Sequence, residues 1–398
     1  MIKEKNIQSS DKKKGGYKKS NLGWIPEDWE IDFLENHSSI KTGNKDTQDK
    51  VDGGQFPFFV RSNTVERIDS FSFDGEAVIT SGDGVGVGKI YHYLNGKFDY
   101  HQRVYNIHNF SKRLNGLFFY FFFSMHFYRR VMSMTAKGSV DSVRMEMLAK
   151  MEIPLPPLPE QQKIATILSK WDSAIDKLTQ LIAAKELQKK GLMQQLLTGE
   201  LRFPGFEDEW ETVKISDFGL IQTGNTPSRQ DENLWNGDKS WATADDMNEK
   251  YIKQTIQKLS DKGLNKARIA KAGSILVTCI ASIGKNAITK IDCGFNQQIN
   301  AITPNENFDS DFVYYLIEKN TNVLLAFAGA GAMPMLNKST FMEIQLKSPF
   351  LKEQQKIAAV LSAADKEIEI LKKELESFQE QKKGLMQVLL TGEKRVNI

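Results

Sequence analysis

The run Gly82 to Lys89, GDGVGVGK, is the first place in this chain that looks equipped for chemistry, because glycine-rich loops before a lysine cradle nucleotide phosphates. It lacks two required positions. A phosphate loop of the Walker type needs glycine five places before the Gly88-Lys89 pair, where Asp83 stands, and Ser or Thr after the lysine, where Ile90 stands. The dinucleotide pattern GxGxxG fails as well, since Val87 or Lys89 falls at the third glycine. No Asn-Pro-Pro-aromatic or Asp-Pro-Pro-aromatic run is present, so the usual catalytic loop of amino-methyltransferases is missing. The five histidines, His37, His92, His101, His108 and His126, form no paired ligand motif. Cys279 and Cys293 are the only cysteines, too few for a disulfide framework, and read as small buried residues in a reducing cytoplasm. The residue types therefore point away from an enzyme and from a bound metal, and the Gly82–Lys89 run reads as a loop following the strand AVIT (Ala77 to Thr80).

The elements that would position any site are clearer than the site. Residues 160–200 and 353–393 align without gaps at an offset of 193, with 23 of 41 positions identical, so the chain contains a duplication. Apolar residues recur at Ile164, Leu168, Trp171, Ile175, Leu178 and Ile182, and at Ile357, Leu361, Ala364, Ile368, Leu371, Leu375 and Phe378. Steps of three and four alternate, which is the seam of a coiled coil. Prolines 154, 156, 157 and 159 precede the first helix and Pro349 the second; Thr198-Gly199 and Thr391-Gly392 mark the ends. Gly191 and Gly384 are expected to interrupt the helices, each costing about 1 kcal/mol relative to alanine. About 38 residues at 1.5 Å each make a rod of roughly 55–60 Å. Each apolar stripe needs cover. An antiparallel pair of the two copies is the favoured reading; packing on each helix's own domain, or oligomerisation, is the alternative.

Upstream the repeat is weaker but continues. Trp29 answers Trp210, Thr42-Gly43-Asn44 answers Thr223-Gly224-Asn225, AVIT answers ILVT (Ile275 to Thr278), and YHQRV (Tyr100 to Val104) answers FNQQI (Phe295 to Ile299). The implied fold class is α+β: two globular α/β domains alternating with two long helices in a pseudo-two-fold internal repeat. The boundaries are a disordered basic tail at 1–20, a first domain at 21–155, a helical region at 156–200, a second domain at 201–348 and a second helical region at 349–398. Trp24, Trp29 and Trp210 read as core anchors at the domain entrances. The apolar stretch Leu117 to Phe123 is far short of the roughly 20 residues a membrane helix needs, and reads as a buried helix. The net charge of +3, with 40% hydrophobic and 26% charged residues, excludes a strongly basic nucleic-acid-coating protein.

With these residues assembled, the chain resembles the specificity (S) subunits of Type I restriction–modification complexes. The resemblance is carried by EQQKIA, the amphipathic helix and KKGLMQQLLTGE. In the second domain IQTGNTPSR (Ile221 to Arg229), SWATADDM (Ser240 to Met247), KAGSILVTCIASIGKNAI (Lys271 to Ile288) and FNQQINAI (Phe295 to Ile302) add to it. In the first, GWIPEDWE, KTGN, DGEAVITSGDG and KGSVDSV do so with more departures; Lys45-Asp46 stands where the second domain has Thr226-Pro227. The resemblance implies a non-catalytic DNA-binding subunit with two target recognition domains, each reading one half of a bipartite asymmetric site. It implies helices that set the spacer and dock two methyltransferase (M) subunits, with restriction (R) subunits joining in the full complex. S-adenosylmethionine, ATP and Mg are expected on those partners and no cofactor or metal on this chain, with a cytoplasmic location. A coiled-coil adaptor whose related modules bind protein is the alternative.

Base edges are read by hydrogen-bonding side chains and phosphates are gripped by cations and amides. Candidates are therefore Arg, Lys, Asn, Gln, Ser and Thr near glycine-rich loops, together with neighbouring Asp and His. In the first domain these are Asn44, Arg61, Asn63, Ser81, Asp83, Lys89, His101, Gln102, Arg103, Lys137 and Ser139. In the second they are Asn225, Thr226, Ser228, Arg229, Thr243, Asp245, Lys285, Asn286, Asn296, Gln297 and Gln298. Each has a second reading as a solvated loop side chain or an internal bond that fixes a turn.

Overall fold

A computed structural model describes residues 15–84, 86–134, 142–329 and 334–398. It divides into two compact units, Met1–Thr179 with Glu374–Ile398, and Gln180–Lys373. The units thus cut across the expected boundaries, because each takes one globular part, the beginning of one long helix and the end of the other.

In the first unit the chain runs through β1 (Tyr17–Ser20), β2 (Gly23–Pro26), β3 (Glu30–Phe33), β4 (Ser39–Thr42), β5 (Phe56–Phe59) and β6 (Val65–Ile68). It continues through β7 (Phe73–Ser81), β8 (Tyr91–Tyr100), β9 (Val104–His108), α1 (Gly116–Ser133), α2 (Met145–Ala149) and β10 (Glu152–Leu155) into α3 (Leu158–Leu196). The main sheet has the order β4-β9-β7-β8-β5-β6. Its inner face, Val78 and Ile107, packs on α1, whose run of phenylalanines buries Phe118, Phe119, Phe121, Phe122, Phe123 and Phe127. Asn115 caps α1 by accepting from the Phe118 N–H at 2.9 Å.

The second unit contains β11 (Glu211–Lys214), β12 (Gly219–Thr223), β13 (Trp235–Ala242), β14 (Tyr251–Ile252), β15 (Gln257–Leu259), α4 (Asp261–Leu264) and β16 (Ile269–Ala270). It goes on with β17 (Ile275–Thr278), β18 (Asn286–Thr289), β19 (Cys293–Phe295), β20 (Ile299–Pro304), α5 (Ser310–Lys319), α6 (Thr321–Ala326), α7 (Lys338–Glu343) and β21 (Gln345–Ser348) before α8 (Leu351–Leu389). One sheet has the order β12-β20-β17-β18-β14, the other β15-β13-β19-β16. The core of β4-β9-β7-β8 is therefore repeated as β12-β20-β17-β18, all antiparallel. A parallel step also recurs: Phe59 pairs with Tyr100 in the first unit and Ala242 with Phe295 in the second.

The repeated EQQ triplet is what ties each helix start to its own domain. Glu160 is buried and accepts the Trp29 indole N–H at 3.1 Å, while Arg395 donates to both of its oxygens. Glu353, also buried, accepts the Trp210 indole N–H at 3.2 Å and N–H groups from two of the three guanidinium nitrogens of Arg202. Gln161 accepts the N–H of Asn115 at 2.9 Å, and Gln354 that of Asp309 at 2.9 Å, so each glutamine holds the capping residue of α1 or α5. A buried carboxylate without such donors would carry a desolvation cost of several kcal/mol. Ile164 and Leu168 complete the first core, Ile357 and Leu361 the second.

Two expectations are corrected. Tyr17–Ser20 is not tail but a strand paired with Gly23–Pro26, and the Tyr17 hydroxyl donates to the Gly392 carbonyl at 2.9 Å. Tail residues Met1 to Lys14 lie outside the described residues. Gly191 and Gly384 do not interrupt the helices, which run on to Leu196 and Leu389; one glycine's deficit is small beside the packing of the flanking turns. The helices do pack on their own domains, and they also touch each other: Trp171 meets Phe378 edge-on at 5.4 Å in the first unit, and Lys185 pairs with Glu367 at 2.7 Å in the second. The apolar stripe is thus covered partly by each helix's own domain and partly by the other helix. Trp29 is fully buried, and Trp24 and Trp210 are half-buried.

Candidate nucleic-acid interface

At one end of the main sheet of the first unit, three loops are pinned together by backbone bonds. The turn after β8 is closed by the Val104 N–H on the His101 carbonyl, at 2.9 Å, and anchored by the His101 N–H on the Phe59 carbonyl, at 2.9 Å. The Gln102 N–H reaches the Lys45 carbonyl in the Thr-Gly-Asn loop, and the Gly82 N–H the Arg103 carbonyl. The second unit builds the same end. The Ile299 N–H closes on the Asn296 carbonyl, the Asn296 N–H on that of Ala242, the Asn225 N–H on that of Phe295, and the Cys279 N–H on that of Gln298. Gly43 and Gly224 make this possible, because a Cβ there would lie 1.9 Å from the Tyr100 oxygen and 2.2 Å from the Asn296 oxygen. Next to each cluster runs a bridge to the segment after the main helix, Asp83 to Ser142 and Ile280 to Met335.

The sequence candidates divide sharply on this frame. His101 is 2% exposed, and its Nδ1 accepts the Arg103 N–H at 2.9 Å. That acceptor role requires a neutral ring, and burial, followed by the Arg61 charge, holds its pKa below the ordinary value. Asn296 does the same work in the other copy, accepting the Gln298 N–H at 3.1 Å. These two residues fix the turn and do not face outward, which corrects their reading as base contacts. Ser81 is buried and donates to the Asp83 carbonyl; Asn286 is buried and donates to the Tyr314 carbonyl. Thr243 caps a short helical turn through Asp246, and Asn225 spends its amide on Lys266 and Arg268 backbone. These four side chains too are held by internal bonds. The Lys285 ammonium donates to the Ala244 carbonyl and to Asn248.

What remains outward is a shorter set. In the first unit Gln102 and Arg103 are exposed on the turn tip. Asp83 lies between two arginines, 3.2 Å from Arg61 and 3.7 Å from Arg103. Asn44 is exposed next to Gly43, Asn63 is exposed after Arg61, and Lys89 lies 5.3 Å from the Tyr128 ring centre. In the second unit Gln297 and Gln298 occupy the matching tip, with Thr226 donating to Gln297; Ser228, Arg229 and Asp245 are exposed. Lys137 and Ser139 lie outside the described residues. Among the described residues no cluster of His, Cys, Asp and Glu has the makings of a metal site. Cys279 and Cys293 are buried free thiols, and burial pushes Cys279 up to about 12 and Cys293 to about 11. Neither supplies a thiolate nucleophile at neutral pH.

Sequence reading missed three groups. Asp46, with Gln102 and His101, belongs to the first cluster. Trp235 and Gln257 hold Arg229 in the second. Arg202 and Arg395, the anchors of the buried glutamates, were legible: each stands two residues after a Thr-Gly-Glu, at the same offset of 193.

Comparison with known proteins gives the family and the fold. The family model described as Type I restriction modification DNA specificity domain matches twice, at residues 26–186 and 207–379. The MjaVIII specificity subunit of a Type I restriction enzyme from Methanocaldococcus jannaschii is 26% identical, over 94% of this chain and 94% of its own. The putative MjaX specificity subunit from the same organism is 25% identical over 96% and 98%. The fold resembles the S subunit of a Type I restriction–modification system from M. genitalium, with a TM-score of 0.62 at 16% identity, covering 91% of this chain and 96% of that one. A second solved chain, from work on complex assembly and conformational transition of the type I system, gives 0.59 at 14%, covering 93% and 99%.

Proposed function

This chain belongs to the Type I restriction–modification DNA specificity family and is a specificity subunit, and from that premise we propose how it reads DNA. Each unit reads one half of a bipartite asymmetric site through the loop cluster at the end of its sheet. The duplicated cluster carries this reading: the turn, the Thr-Gly-Asn loop and their bonds recur, while some of the outward side chains differ. Arg103 stands where the other copy has Gln298, and Lys45-Asp46 where it has Thr226-Pro227. Two copies of one frame with different tips suit two different half-sites.

The two helices run through both units and pair antiparallel as a coiled coil, setting the spacer between half-sites. The contact of Trp171 with Phe378 in one unit and the ion pair of Lys185 with Glu367 in the other support this pairing. The near-identical helix ends offer the same surface twice and dock two methyltransferase subunits, which restriction subunits join. Those partners bring S-adenosylmethionine, ATP and Mg, and this chain brings recognition without catalysis, in the cytoplasm. The formal charge of +3 suits weak DNA binding by the chain alone.

The test is to combine the purified chain with its methyltransferase and map methylation of genomic DNA by long-read sequencing. A single bipartite motif is expected. Inserting seven residues between Thr179 and Leu187, and at the matching place in the second helix, adds about 10 Å. The spacer then lengthens by about three base pairs, with both half-sites unchanged. Altered half-sites would sink the ruler, and unmethylated DNA with tight protein binding elsewhere would favour the adaptor.

A further inference from the structure

The second unit contains an arginine prepared in a way that no arginine of the first unit's loop cluster is. The Arg229 guanidinium carbon lies 3.6 Å from the centre of the Trp235 ring and 4.9 Å from that of Trp241. The two indoles meet edge-to-face at 5.0 Å and 90°. This platform is bolted to the Thr-Gly-Asn loop: the Trp235 N–H donates to the Ser228 carbonyl at 3.0 Å, and the Trp241 N–H to that of Asn225 at 3.3 Å. The Gln257 amide oxygen accepts one Arg229 N–H at 2.6 Å. Among the described residues Arg229 pairs with no carboxylate, whereas Arg61 and Arg103 both face Asp83.

We infer that Arg229 is the specificity-determining residue of the second unit and reads one guanine in the major groove. The inference rests on the half-site reading given above and says which side chain carries it. A guanidinium that only grips a phosphate needs charge and reach, and gains nothing from a fixed plane. One that forks onto the O6 and N7 of guanine needs its plane set within a few tens of degrees, and stacking on Trp235 with the Gln257 tether sets it. One N–H of five is engaged by Gln257, which leaves a fork for the base. The same stack has already ordered the side chain, so less entropy is lost on contact. Among the described residues the first unit has no counterpart, and Asp46 at the matching loop caps a short helical turn instead. The difference is of the kind that makes a bipartite site asymmetric.

The experiment uses full-length chains with Arg229→Lys, Arg229→Gln and Trp235→Leu, each combined with the methyltransferase, and methylation mapped as for the unaltered chain. The unaltered motif is expected to hold a guanine in one half-site that Arg229→Gln and Arg229→Lys both relax. Loss of a bidentate contact corresponds to about 5- to 150-fold in discrimination at that position. Lysine keeps the charge but not the fork, and Trp235→Leu keeps the fork but not its plane, so both relax the same position. The other half-site is the internal control and stays unchanged. Uniformly weaker methylation with an unaltered motif in Arg229→Lys and Arg229→Gln would overturn the inference, leaving a phosphate contact or a structural role. Relaxation at a base other than guanine would overturn it too. Absence of any bipartite motif with the unaltered chain would instead defeat the half-site reading.

Discussion

Individual side chains in this protein divide into those that hold and those that can reach. His101 and Asn296 are chemically different, yet each accepts the backbone N–H two residues on, so the same turn is built from an imidazole and from an amide. Both looked like readers in the sequence because polar residues beside a Gln-Gln or Gln-Arg tip invite that reading. Burial decided against it, and burial is a property of the partner strands. Glu160 shows the holding role most fully. It is fully buried and is the acceptor of the Trp29 indole N–H, which is itself fully buried. Glu160→Ala strands that donor and is expected to cost the first unit about 1–3 kcal/mol. Urea unfolding of the full chain measures this, and an unchanged midpoint would contradict the anchoring role.

At the scale of elements, the long helices carry most of the repeated sequence, and the reason is local. Identity between the copies concentrates at the two ends, 160–172 and 188–200, where each helix meets a globular domain. The middle, away from those contacts, has diverged while keeping its apolar spacing. Gly191 and Gly384 belong to the repeated end, yet a Cβ at either would meet nothing within 4 Å. The fold of the chain alone does not need them. Gly191→Ala and Gly384→Ala are each expected to stabilise the isolated chain by about 1 kcal/mol, read as a higher Tm. A lower Tm would mean that the helix is strained there. The periodicity of three and four predicted these helices well, because one face of a 3.6-residue helix is a short-range pattern. It did not predict their continuity through glycine, which depends on packing along the flanking turns.

The two units of the molecule share a scaffold but are expected to differ in their response to acid. All five histidines lie in the first unit. Burial, with a smaller push from Arg129, brings His126 down from 6.5 to about 4, and burial also lowers His92, His101 and His108. A histidine that stays neutral when folded but takes a proton when unfolded favours unfolding below its unfolded pKa. The penalty therefore begins near pH 6.5 and is complete near pH 4 for His126. At pH 5 it amounts to about 2 kcal/mol from His126 alone. Hydrogen exchange between pH 7 and pH 5, corrected for intrinsic rates, is expected to show the first unit losing protection and the second keeping it. Equal loss in both would contradict this assignment.

From the sequence alone came the duplication, the two long helices, the absence of catalytic and metal motifs, and the family resemblance. Each is a matter of order and spacing along the chain, which the residues carry without help from folding. The tertiary structure decided which candidates point outward. Pairing of strands and loops distant in the chain buries Ser81, His101, Asn286 and Asn296 and leaves Gln102, Arg103, Gln297 and Arg229 exposed. It also decided the pairing of Arg202 with Glu353 and Arg395 with Glu160, contacts 151 and 235 residues apart in the chain. Such partners meet only because strands and helices bring them together, and no local pattern encodes a distance of that kind.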